Sequence, residues 1–203
     1  MKMEKTGFYT FARRLIWMLL ALVFRVKARG VENFPKDRNC IIFSNHFSAW
    51  DPLTIAHIYT VSEIHFMAKD SLFRTRLVRA LIQRLHAFPV SRGSADMAAM
   101  RTAMQVLRDG HVLGIFPEGT RRQGGPVTDM ETGVAVLALK SEAPLVPVLL
   151  GGRYRFLGKV RAVVGEPVSL DDLREKRVGA ETLEAVKQRL IGALEALRPL
   201  LDF

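Results

Sequence analysis

Cys40-Ile41-Ile42-Phe43-Ser44-Asn45-His46-Phe47-Ser48-Ala49-Trp50-Asp51-Pro52 is the stretch that decides the fold. It opens on an unbroken apolar run of strand length, the pattern of a strand buried on both faces. It closes on Asp51-Pro52, a helix N-cap followed by proline at the first helical position. A buried strand that feeds a helix is the start of a strand–helix–strand unit, and the alternation continues outward. Strands are predicted at 40–44, 64–68, 87–90, 112–116, 145–150 and 160–164. Helices are predicted at 52–59, 71–84, 95–109, 133–141 and 181–197. In the helix at 95–109, Met97, Met100, Met104 and Leu107 recur at helical spacing and read as a core stripe. The pattern implies an α/β fold with a mostly parallel central sheet flanked by helices.

The chain has 203 residues, enough for one domain with a sizeable core. Hydrophobic residues make up 49% and charged residues 25%, which excludes disordered and collagenous classes. Thirty basic residues against twenty acidic ones give a net charge of +10, with a pI near 10.3. That balance calls for an anionic partner. The charge is clustered. Residues 1–29 carry seven cations (Lys2, Lys5, Arg13, Arg14, Arg25, Lys27, Arg29) against Glu4, and residues 69–101 carry seven against Asp70 and Asp96. Nucleic acid is not the expected partner, because the few Trp and Tyr residues are not interleaved with a basic stripe. A basic nucleic-acid-binding module is the rival reading from another functional class. Cys40 is the only cysteine, which rules out an intramolecular disulfide and cysteine metal clusters. Its apolar neighbours predict a buried thiol rather than a nucleophile.

Residues 15–24, LIWMLLALVF, are bracketed by Arg13-Arg14 and Arg25. As a helix this run covers roughly 15 Å, about half a hydrocarbon core, too little to span comfortably. A helix over 8–26 is predicted to dip into one leaflet, with its cations at an anionic head-group surface. The competing reading packs this helix on the domain's own core. The expected organisation is a membrane-associated helix over 1–29 and a catalytic domain over 30–203, monotopic on the cytoplasmic face of the membrane.

Two polar constellations follow apolar strands. His46 and Asp51 are five apart, and on one continuous helix they would not meet. A turn between strand and helix lets Asp51 fold back onto the imidazole, fix its tautomer and leave the other nitrogen to take a proton. The alternative is a loop histidine beside a helix cap. The second constellation is Phe116-Pro117-Glu118-Gly119-Thr120-Arg121-Arg122. The Gly119 and Thr120 N–H groups, the Thr120 hydroxyl and two guanidiniums suit a phosphate. Glu118 does not, and its candidate roles are accepting from a substrate hydroxyl or holding Arg121. The alternative is a surface turn with an Arg–Glu pair. His57, His65, His86 and His111 have no metal-ligand spacing, and no nucleotide or cofactor motif is present, so neither metal nor cofactor is expected.

Together, His46-x4-Asp51 and Phe116-Pro117-Glu118-Gly119-Thr120-Arg121 resemble the signature of the glycerolipid acyltransferases, in their 1-acylglycerol-3-phosphate branch. The resemblance covers about residues 30–170. Phe88-Pro89-Val90-Ser91-Arg92 is similar to the family's second block, Val146-Pro147-Val148 to its fourth, and Val164-Gly165-Glu166-Pro167-Val168 to its closing strand and turn. Lys69 matches a lysine common after the second strand. The resemblance implies acyl transfer from acyl-CoA or acyl-carrier protein to the free hydroxyl of lysophosphatidate, giving phosphatidate. His46 would be the general base and Asp51 its orienting partner. Arg92, Arg121 and Lys69 would hold the acceptor phosphate with Gly119 and Thr120, and Glu118 the glycerol part. Another lysolipid or an aminolipid acceptor is the alternative within the same scaffold. The chain departs from the family pattern at Arg122, where serine is common, and at Met130-Glu131-Thr132-Gly133, where Phe-Lys-x-Gly is common. It also lacks a glycine around Leu85-His86.

Overall fold

The computed structural model describes Gly7, Phe11, Leu15 and residues 23–91, 96–122 and 124–203. Seven strands form one sheet: β1 (Phe24–Arg29), β2 (Ile41–Ser44), β3 (Ile64–Lys69), β4 (Phe88–Val90), β5 (Val112–Ile115), β6 (Leu145–Gly152) and β7 (Gly158–Val164). Their order is β1-β7-β6-β2-β5-β3-β4. Every pairing is parallel except β6 with β7. Among the described residues, six helices have continuous ranges: α1 (Asp51–Ile58), α2 (Arg76–Arg84), α3 (Met97–Arg108), α4 (Thr132–Lys140), α5 (Asp171–Arg174) and α6 (Ala180–Glu195).

Side-chain alternation along the strands builds two cores. Ile41, Phe43, Leu113, Leu145 and Leu149 face α3, α4 and α6. Cys40, Ile42, Val112, Val146 and Val148 face the other way, against Ile55 and Tyr59 of the α1 region. The centre of the sheet is sealed on both faces, so its strands read as continuous apolar runs. Cys40 is fully buried, and burial pushes its thiol up to about 12.

Several elements differ from the sequence reading, among them the short helix α5, which it did not include. Phe24–Arg29, placed with the N-terminal helix, is strand β1, paired in register with β7. Of the expected helix, Gly7, Phe11, Leu15 and Val23 are helical, and the rest lies outside the described residues. The segment expected as one helix over 71–84 is a 3-10 turn, Asp70–Phe73, followed by α2, which buries no residue. Its apolar side is open, with Leu77 83% and Leu81 52% exposed. In α3, Met100 and Met104 pack on the core, but Met97 lies outside it, exposed. Among the described residues no helix is long and apolar enough to cross a membrane.

At the amino ends of β3–β5, the ring of His65 lies 4.8 Å from that of His86 and 4.7 Å from that of His111. His86 pairs with Glu63 at 2.6 Å, and Asp109 lies nearby. Burial, then the two neighbouring imidazoles, lowers His65 to about 4, partly offset by Asp109. Between that value and the ordinary 6.5 the unfolded chain binds a proton that the folded chain refuses. This contribution to stability is therefore complete above pH 6.5 and lost as pH falls toward 4. The thermal midpoint should drop between pH 7 and 5, and drop less in His65→Gln. An equal drop in both proteins would show that His65 is not responsible.

Candidate active site

The carboxyl end of β2 turns sharply before α1 begins. Asp51 is not the N-cap expected from sequence. It is the first helical residue, after Trp50 and before Pro52. Its side chain reaches back over the turn instead. Asp51 Oδ2 accepts the Phe47 and Ser48 N–H groups, both at 2.7 Å, and pairs with His46 Nδ1 at 2.8 Å. Asp51 is fully buried and His46 is 8% exposed. With the Asp51 carboxylate accepting, this contact assigns the donor role to Nδ1 and leaves Nε2 available to accept. The turn thus brings the two side chains together, as an Asp–His pair requires.

Other contacts hold the imidazole. Its ring stacks on Phe116 at 4.2 Å, and Phe116 stacks on Phe66 at 6.0 Å. Glu118 Oε1 accepts the His46 N–H at 3.0 Å, and its Oε2 lies 3.5 Å from Arg122 Nε. The Arg122 N–H donates to the His46 carbonyl at 2.8 Å. The two constellations are therefore stitched together through the His46 backbone. Glu118 is 8% exposed, and burial raises its carboxyl, opposed by the His46 N–H and by Arg122. Its guanidinium partner is Arg122 rather than Arg121.

Gly119 adopts φ 65°, and a Cβ there would meet Glu131 Oε1 at 2.6 Å. Only glycine turns this corner without strain. The Gly119 N–H is engaged by the Phe116 carbonyl at 3.1 Å. Thr120 and Arg121 are exposed on the same turn. Lys69 is exposed at the carboxyl end of β3, opposite Val90 of β4. β5 runs parallel between β2 and β3, so Lys69, Glu118 and His46 share one end of the sheet. Arg92 lies outside the described residues.

Two supporting residues were missed by the sequence reading. The Asn45 amide donates to the Leu150 carbonyl at 2.9 Å and accepts the Leu150 N–H at 2.8 Å, pinning the residue before His46 to β6. The Tyr154 hydroxyl donates to Thr54 Oγ1 at 2.8 Å. Burial, then the Asp51 charge, holds it protonated far above the ordinary range. Both contacts join residues at least 100 positions apart, and no local spacing announces them.

A family model described as Acyltransferase matches residues 25–151. The 1-acyl-sn-glycerol-3-phosphate acyltransferase of Bacillus subtilis is 31% identical over 191 residues, covering 90% of this chain and 94% of that one. The protein of the same name from Borreliella burgdorferi is 35% identical over 137 residues, 66% of this chain and 54% of that one. The crystal structure of the 1-acyl-sn-glycerophosphate acyltransferase PlsC from Thermotoga maritima superimposes with a TM-score of 0.71 at 27% identity. That match covers 94% of this chain and 80% of the other.

Proposed function

Because the chain belongs to the acyltransferase family, we propose that it transfers a fatty acyl group from a thioester to the free hydroxyl of lysophosphatidate, forming phosphatidate. The observation that carries the mechanism is the buried 2.8 Å contact between His46 Nδ1 and Asp51 Oδ2. His46 Nε2 takes the hydroxyl proton as the acceptor oxygen attacks the thioester carbonyl. The C–S bond breaks as the tetrahedral adduct collapses, and the proton passes from His46 to the leaving sulfur. Asp51 stabilises the imidazolium in between. Direct transfer fits a chain whose only thiol, Cys40, is fully buried. Arg121, Thr120, Lys69 and Arg92 form the phosphate rim in this reading. Glu118 is committed to His46 and Arg122, so its contribution to acceptor binding acts through the turn it holds.

The donor is a coenzyme A or carrier-protein thioester, and the reaction runs at an anionic membrane surface. Two features support the membrane contact. β1 runs antiparallel to β2, so its first residue, Phe24, lies at the His46 end of the sheet, where the Phe24 and Trp50 rings are 5.4 Å apart. α2 starts past the carboxyl end of β3, at that same end, and runs back toward His86. Its exposed Leu77, Val78 and Leu81 are set among Arg76, Arg79 and Arg84, a combination that suits anionic head groups over acyl chains.

One assay tests both parts. The purified full chain receives an acyl thioester and either lysophosphatidate or lysophosphatidylcholine, in anionic or neutral vesicles. Phosphatidate should form fastest on anionic vesicles, with lysophosphatidylcholine acylated poorly. Equal rates with the two acceptors would overturn the acceptor assignment. Equal rates on the two vesicle types would overturn the anionic-surface contact.

A further inference from the structure

The edge formed by β1 and β7 carries five cations on one face. Register sets Arg25 opposite Lys159 and Lys27 opposite Arg161, and Arg29 follows on β1. The alternate residues Phe24, Val26 and Ala28 pack toward the α1 side, so the cations share the opposite face. Like charges directly across a ladder repel. Among the described residues, no carboxylate side chain lies within ion-pair distance of any of the five, and Arg161 Nε donates to the Phe203 main-chain oxygen at 2.5 Å. Edge strands commonly carry cations that discourage aggregation, which would account for those on β1. It does not account for Lys159 and Arg161, because β7 is paired on both sides.

The face is also concave. Arg25, Lys27, Lys159 and Arg161 line a cleft of about 350 Å³, with the Phe203 ring at its margin. Phe203 lies 4.2 Å from the Arg29 guanidinium. Arg161 also lines a second cavity, of about 290 Å³, whose wall includes Asn45 and Phe47 on either side of His46. Gly152, at φ 99°, lies in that wall, where a Cβ would meet the Lys159 carbonyl oxygen at 2.1 Å. Arg161 is common to both cavities, and the first falls within the range of about 300–1,000 Å³ usual for small-molecule sites.

We propose that the β1–β7 face binds the phosphates of a coenzyme A donor, and that the second cavity leads its pantetheine arm to His46. This inference rests on the thioester-donor reading above. A recessed cleft lined by cations suits several phosphates on one small molecule, each recognised by charge-assisted hydrogen bonds. A carrier protein would dock on a broad surface instead.

Calorimetric titration of the full chain with free coenzyme A tests this without turnover. The double variant Lys27→Gln, Lys159→Gln removes one cation from each opposed pair. Its Kd for coenzyme A should rise at least tenfold, and its KM for the acyl thioester should rise with it. KM for lysophosphatidate should hold. The thermal midpoint should stay level or rise, because the repulsion is relieved. Coenzyme A lacking its 3′-phosphate should bind the parent more weakly than coenzyme A itself. Unchanged coenzyme A affinity in the double variant overturns the proposal. So does loss of anionic-vesicle or carrier-protein binding while coenzyme A affinity stays intact. Coenzyme A bound through these cations by a chain that acylates no lysophosphatidate would uphold the site and overturn only the function.

Discussion

His46→Ala lowers kcat by roughly 10²–10⁴, the usual size of a general-base contribution. Asp51 and Phe116 hold the imidazole, by hydrogen bond and ring stacking, and Glu118 holds the His46 backbone N–H. Removing the imidazole takes away the proposed proton acceptor and leaves the proposed phosphate rim of Lys69 and Arg121 in place. KM for lysophosphatidate should therefore move little. The backbone N–H of residue 46 still meets Glu118, so the two strand-end turns stay joined. Steady-state kinetics with both substrates varied, alongside a thermal melt, checks this. A kcat within threefold of the parent would show that another group takes the proton.

Asp51→Asn should slow the reaction by a similar factor while the fold survives. Three donors converge on Asp51 Oδ2: the imidazole N–H and the Phe47 and Ser48 amides. The Asn carbonyl oxygen can accept the same bonds, so the turn keeps its shape. The negative charge that stabilises the imidazolium is gone, and a change of this kind behind a catalytic histidine costs up to about 10⁴ in kcat. The new NH₂ takes the place of Asp51 Oδ1, which is buried and has no partner among the described residues, with the Tyr154 hydroxyl nearby. Asp51→Ala is the harsher change, because it strands two backbone donors at a cost of about 1–3 kcal/mol each. If Asp51→Asn kept the parent's rate, Asp51 would be a structural residue only. If it unfolded, the turn rather than the charge would explain its burial.

The central sheet was legible because its chemistry is local. Residues 40–52 join an apolar run to Asp51-Pro52, and any chain with that order must leave a strand, turn and enter a helix. The contact between His46 and Asp51 was legible for the same reason, since five residues around one turn bring the two side chains together. The capping role assigned to Asp51 was not correct: the helix begins one residue earlier, and its carboxylate serves the turn. β1 was obscured by its own cations. Arg25-Val26-Lys27-Ala28-Arg29 alternates with a period of two, but it follows ten apolar residues and reads as the basic flank of a helix. Its partner β7 lies more than 130 residues away, and only tertiary pairing distinguishes a strand there. α2 shows the complementary limit. Its leucines have helical spacing, yet spacing does not say whether the apolar side meets a core or is left open. The bond from Glu118 to the His46 N–H and the Asn45 clamp on Leu150 join distant parts of the chain, and they emerge only once the parallel strands are in register.

Mass spectrometry of one reaction tests the central claim most directly: that the acyl group passes straight from thioester to acceptor hydroxyl under His46. The purified chain is mixed with an acyl thioester and lysophosphatidate, and the lipid and the intact protein are both weighed. The predicted result is phosphatidate in the lipid fraction and an unchanged protein mass throughout turnover. Absence of phosphatidate, or a protein carrying one acyl group as a competent intermediate, would contradict it.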